Sequence, residues 1–255
     1  MMPRLALVAV LFAAFSSACQ TTPNREIGAP QGTNNKVAEI NTQLGVGYLR
    51  AGKIELAWKR LHKAIEADPG YSAAQHAMAL LYTSMKEPAK AEEHFQLAVK
   101  LDPTNSAAQN NYGSFLCQQR RYAEAEQRFL QAVKNPLYRD PGAAYTNAGL
   151  CMKSAGNLTK AEQYLRTALK RSPKLAPALI AMAEVSLANR QYLSARGYLE
   201  RYLEIAPHTP RSLWLGVRIE RALHDRDTAA SYALLLRSKY PNSREAQALR
   251  QGSEQ

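Results

Sequence analysis

The side chains able to do chemistry in this sequence are spaced so that they assemble none of the common reaction centres. Five histidines, His62, His76, His94, His208 and His224, include no pair at an interval that turns two imidazoles toward one metal ion. Gly45-Val46-Gly47 resembles a piece of a phosphate-binding loop, but Tyr48-Leu49-Arg50 follows where such a loop needs Gly-Lys and a hydroxyl. No Gly-x-Ser-x-Gly turn is present to expose a nucleophilic serine. Glu92-Glu93 and the Glu124, Glu126 pair read as solvated helix faces. The expectation is a protein with no catalytic residue, cofactor, metal or small-molecule substrate.

Charge and cysteine usage narrow the classes further. The formal net charge is +12 at pH 7, yet Lys and Arg are spread along the 255 residues without a dense basic run beside stacking aromatics, so nucleic acid is not an expected partner. With 46% hydrophobic and 21% charged residues the chain can bury a core. Cys117 and Cys151 are too few for a disulfide scaffold and lack zinc-site spacing. They read first as two small buried apolar side chains. A bridge between them, in an oxidising compartment, is the alternative.

The third cysteine belongs to an address. Arg4 precedes an apolar run of eleven residues, 5–15, too short for a spanning helix of about 20 but the length of a signal-peptide core. Ser16-Ser17-Ala18-Cys19 follows and resembles a bacterial lipobox, although Ser16 stands where Leu is usual. Cys19 is therefore the expected lipidation site, and Gln20 in place of Asp points to the outer membrane. An ordinary signal peptide cleaved nearby is the other reading. Residues 20–36 are polar, with two prolines and two glycines, and read as a flexible tether. As a random coil these 17 residues would span about 23 Å.

The elements that follow are repeated. Pro69, Pro103, Pro173, Pro207 and Pro241 are separated by 34, 70, 34 and 34 residues, the 70 being two periods with a two-residue insertion near Pro136 and Pro141. A 34-residue period is the tetratricopeptide signature. Within it a small residue recurs in the first helix (Gly45, Ala79, Gly113, Gly149, Ala183) and another in the second (Ala57, Ala91, Ala125, Ala161, Ala195, Ala229). Large apolar residues fill the space between them, as in Leu61, Phe95, Phe129, Leu165 and Leu199. The last repeat puts Val217 in the small-residue slot, with Gly216 just before it. The fold expected is an all-α, right-handed superhelix of six helix pairs, 38–71, 72–105, 106–139, 142–175, 176–209 and 210–243, closed by a capping helix within 244–255. The domains are thus a signal peptide over 1–18, a lipidated Cys and tether over 19–36, and the repeats over 37–255.

First helices line the concave face of such a stack, so binding is expected there. In repeats one to three the residues expected to face it are Thr42, Val46, Leu49, His76, Leu80, Thr83, Asn110 and Ser114, followed by Cys117, Thr146, Leu150 and Lys153. The Lys, Asn and Arg set of a carboxylate clamp is missing. Val46, Leu49 and Leu80 instead suggest an apolar groove for an amphipathic helix or extended peptide, unless they pack on neighbouring helices. Trp214 is either a second anchor or core.

The segments 42–69 (TQLGVGYLRAGKIELAWKRLHKAIEADP), 110–133 (NNYGSFLCQQRRYAEAEQRFLQAV) and 225–243 (DRDTAASYALLLRSKYPNS) resemble the PilF/PilW family of type IV pilus biogenesis lipoproteins. That resemblance implies a monomeric pilotin, anchored by acyl chains on Cys19 to the periplasmic side of the outer membrane. Its implied partner is the pilus secretin subunit, whose multimerisation it would promote in twitching motility. A repeat-protein adaptor for peptidoglycan hydrolases or outer-membrane protein assembly is the competing function.

Overall fold

The computed structural model describes residues 31–252, with side chains over 35–252. The expected signal peptide, Cys19 and the start of the expected tether lie outside the described residues. What is described is helical, with no strand: α1 (Gln31–Arg50), α2 (Ile54–Ala67), α3 (Ser72–Ser84), α4 (Pro88–Leu101), α5 (Ser106–Gln118), α6 (Tyr122–Ala132), α7 (Pro141–Ser154), α8 (Leu158–Arg171), α9 (Ala176–Ala188), α10 (Tyr192–Leu203), α11 (Pro210–Ala222), α12 (Arg226–Lys239) and α13 (Arg244–Arg250). Consecutive helices pair into six antiparallel hairpins, stacked in a right-handed superhelix.

The second helix of each pair is amphipathic in the simplest way. Helix α2 buries Ala57, Leu61 and Ala64, and α8 buries Ala161, Leu165, Ala168 and Leu169, at intervals of three and four that keep one face inward. Each buried Leu or Phe of this row contributes about 2 kcal/mol relative to an exposed one. First helices are buried on more than one side, and α9 hides eight residues between Ala178 and Ser186. They touch their own second helix, the second helix of the preceding repeat, and the first helices on either side. Second helices lie farther apart, α8 reaching α6 through the long side chains of Lys160 and Tyr164 to Glu126, so the first helices form the tighter, inner row.

Small residues in the first helices make this spacing possible. A Cβ added at Gly45, Gly113 or Gly149 would lie 2.6, 2.8 and 2.6 Å from Leu61, Phe129 and Leu165. In the last repeat both partners shift by one residue. Gly216, not Val217, makes the close approach, with Tyr232 at 2.8 Å. Val217 turns instead to Leu213, Leu236, Ala246 and Leu249, where α13 closes the end of the core.

Every hairpin turns at one left-handed residue. Gly52 and Gly156 are two of them, and Lys86, Arg120, Arg190 and His224, with φ of 60, 61, 60 and 62°, are the equivalents. The residue after each donates its N–H five positions back, as Lys53 to Tyr48 (2.9 Å) and Glu87 to Tyr82 (3.0 Å) do, a Schellman closure that four non-glycine residues accept at a cost.

Two expectations are corrected. Helix α1 begins at Gln31, inside the stretch expected to be tether. Residues 31–36 contain no proline, and extending a helix already nucleated downstream costs little. Cys117 on α5 and Cys151 on α7 form a disulfide, Cα–Cα 5.8 Å, in place of two separate apolar side chains. First helices of consecutive repeats lie side by side, so the two thiols meet across the two-residue insertion.

Gly149→Val is expected to lower the unfolding free energy by about 2 kcal/mol, because the new side chain collides with Leu165 and the Ala161 carbonyl. Lys86→Gly should raise it by about 0.5 kcal/mol, relief of the left-handed backbone outweighing the freer unfolded chain. Urea melts of the three proteins check both signs.

Candidate protein-binding groove

The inner row of first helices presents one surface, and neighbouring helices are tied across it by side chains. His76 Nε2 accepts from Asn111 Nδ2 at 2.9 Å, and Asn147 Nδ2 donates to Asn110 Oδ1 at 3.1 Å. The Cys117–Cys151 bridge comes next. Lys153 then pairs with Glu184, which also takes two hydrogen bonds from Arg211, at 2.5 and 2.6 Å. Burial alone would raise the Glu184 carboxyl, but the hydrogen bonds from Arg211 and Lys153 outweigh it and hold the group below its ordinary value. Burial pushes the His76 imidazole down to about 4, so it sits neutral with its acceptor nitrogen toward Asn111.

The residues expected to face a partner divide into three groups. Thr42 and Asn110 are buried, and this corrects the expectation for both. Thr42 Oγ1 donates to the Ala38 carbonyl at 2.7 Å, and Asn110 spends its amide oxygen on Asn147. Val46, Leu49 and Leu80 are half-buried and pack at the edge of the core, so they serve it with one side and face outward with the other. His76 and Ser114 are half-buried with polar atoms engaged, Ser114 Oγ donating to the Asn110 carbonyl at 3.1 Å. Thr83, its hydroxyl bonded to the Ala79 carbonyl at 2.8 Å, lines a shallow hollow of about 250 Å³ with Phe115 and Gln118. Thr146 is buried, Leu150 half-buried, and Lys153 is held by Glu184.

A larger concavity than the one at Thr83 lies at the other end of the row. A hollow of about 720 Å³ between α9 and α11 is lined by Leu187, Ala188, Arg190, Tyr192, Trp214, Arg218, Arg221 and Ala222. A second, of about 280 Å³, adjoins it and shares Ala188, Trp214 and Arg218. Its signal was present in the sequence, since Glu184, Leu187, Arg218 and Arg221 occupy the same repeat slots as Leu80, Thr83, Ser114 and Cys117. Trp214 is half-buried and plays both roles weighed for it, packing on the C-terminal core while lining both hollows.

Among the described residues, no three His, Cys, Asp or Glu side chains gather as a metal site, and no helix is long and apolar enough to cross a membrane. A surface built only from stacked helix faces defines a tetratricopeptide-repeat scaffold. Family models described as tetratricopeptide repeat match residues 72–105, 94–127, 116–176 and 153–218. The type IV pilus assembly protein PilF of Pseudomonas aeruginosa is 34% identical over 244 residues, covering 96% of each chain, and on that relation this chain belongs to the PilF family of type IV pilus assembly proteins. Solved structures agree. The P. aeruginosa PilF structure matches with a TM-score of 0.79 and 34% identity over 87% of this chain and all of that one. PilW, a type IV pilus biogenesis factor, matches with a TM-score of 0.78 and 32% identity over 84% of this chain and 99% of that one.

The disulfide closes a 34-residue separation, for which chain entropy gives about 4 kcal/mol. Cys117→Ser with Cys151→Ser should therefore lose about 2–4 kcal/mol in urea melts, and reductant should destabilise the wild type alone. His76 binds a proton near pH 6.5 when unfolded but only near 4 when folded. Its contribution is thus complete above 6.5 and is lost as pH falls toward 4. Between those limits the wild type should lose stability more steeply than His76→Gln, read as the urea midpoint against pH.

Proposed function

We propose that this chain is an outer-membrane lipoprotein that acts as a pilotin, binding the pilus secretin subunit and promoting its localisation and multimerisation. The relation to PilF over 96% of both chains carries the reading. Acyl chains on Cys19 would supply the anchor, each buried methylene contributing about 0.8 kcal/mol, on the periplasmic side of the outer membrane.

The early repeats hold the secretin segment in this reading. Val46, Leu49, Leu80 and Thr83 offer mainly apolar surface there, with Lys86 beside Thr83, and such a surface suits an amphipathic or extended segment. The first repeat adds Val37, Ile40 and Leu44 on one face of α1, each more than a third exposed, where no earlier helix covers them among the described residues. Thr42 and Asn110 shape this region from beneath rather than touch the partner.

Deletion of the gene is expected to remove detergent-resistant secretin multimers from outer membranes. Cys19→Ala should abolish incorporation of labelled palmitate and strand the protein off the outer membrane. Leu80→Glu should lower multimer yield while leaving the lipid in place. Undiminished secretin multimers in the deletion strain would overturn the pilotin reading.

A further inference from the structure

The C-terminal half of the inner face differs in charge from the half assigned to the secretin. Five cationic side chains, Lys153, Arg190, Arg211, Arg218 and Arg221, line its two joined hollows against a single carboxylate, Glu184. Glu184 is already committed to Lys153 and Arg211. Neither Arg190 nor Arg218 has an ion pair among the described residues. Between these guanidinium groups the floor is apolar, formed by Leu187, Ala188, Ala222 and the exposed part of Trp214.

We propose that this hollow is a second docking site, for an acidic peptide segment that carries one apolar anchor residue. Charge complementarity selects the carboxylates. Guanidinium groups on a concave wall bind them through paired N–H donors, and an excess of positive charge draws the segment in from a distance. The floor selects the anchor, because covering Trp214 and Leu187 with an apolar side chain removes their surface from water. Tryptophan and arginine together are the residues that most often dominate a protein interface. Two aromatic side chains, Trp214 and Tyr192, are too short a succession of stacking platforms for nucleic acid. A bilayer surface cannot enter a hollow recessed between two helices. The site goes beyond the pilotin reading and does not depend on it, since its residues lie in repeats four to six.

The test uses full-length protein in detergent and a short fluorescein-labelled peptide with a phenylalanine flanked by glutamates, followed by anisotropy. The peptide should bind the wild type, and affinity should fall about tenfold when glutamine replaces its glutamates, and again in high salt. It should fall similarly when alanine replaces the phenylalanine. Arg190→Asn with Arg218→Ala should bind at least tenfold more weakly with an unchanged melting temperature. Both side chains are exposed, and asparagine tolerates the left-handed backbone at 190. Leu80→Glu should leave this binding intact, which separates the site from the secretin groove. Equal affinity for the glutamine peptide, or an unaffected double variant, overturns the proposal. So does capture of phosphatidylglycerol vesicles or a single-stranded oligonucleotide in preference to the peptide.

Discussion

The fold depends on how closely the two helices of a hairpin can approach. Where Gly45, Gly113, Gly149 and Gly216 face Leu61, Phe129, Leu165 and Tyr232, there is no room for even a methyl group. That contact sets the separation in these four pairs, Ala79 and Ala183 filling the slot in the other two, and the pair sets where the first helix sits relative to the next repeat. Only with the first helices in a tight inner row can side chains reach across from one repeat to another. The last repeat shows that the contact matters more than the register. Its glycine and its large partner have moved together by one residue, which frees Val217 to hold the capping helix α13.

Ties across the inner row change character along the molecule. At the N-terminal end they are neutral, His76 with Asn111 and Asn110 with Asn147. In the middle the tie is covalent, between α5 and α7, where the two-residue insertion interrupts the period. Beyond it they are ionic, with Glu184 shared by Lys153 and Arg211. The same scaffold therefore offers a less charged surface at one end and a cationic one at the other. A protein with a net charge of +12 need not be cationic everywhere, and here five cationic side chains against one carboxylate line the two joined hollows at the C-terminal end.

Membership of the PilF family gives these surfaces a setting, the assembly of a type IV pilus. A chain lying along the inner face would meet apolar side chains first and guanidinium groups last. Both are offered by helices whose hairpin turns are strained at Lys86, Arg120, Arg190 and His224, so the turn geometry is held by the hairpin packing rather than by local preference.

The repeat itself was legible in the sequence, save the one-residue shift to Gly216 in the last unit. Six helix pairs, the cap at 244–250 and the small-residue contact follow from a 34-residue period, because every repeat solves the same packing problem with residues close along the chain. The family was legible too, in segments that are not generic to the repeat. What the tertiary structure alone decided is everything that passes between repeats. Burial of Asn110 against Asn147, the pairing of Cys117 with Cys151 and the joining of the C-terminal cationic side chains into one hollow around Trp214 belong to this class. The reason is geometric. A period says which side of a helix faces inward, but the offset between adjacent helices decides which inward side chains meet, and no local pattern in the sequence carries that offset.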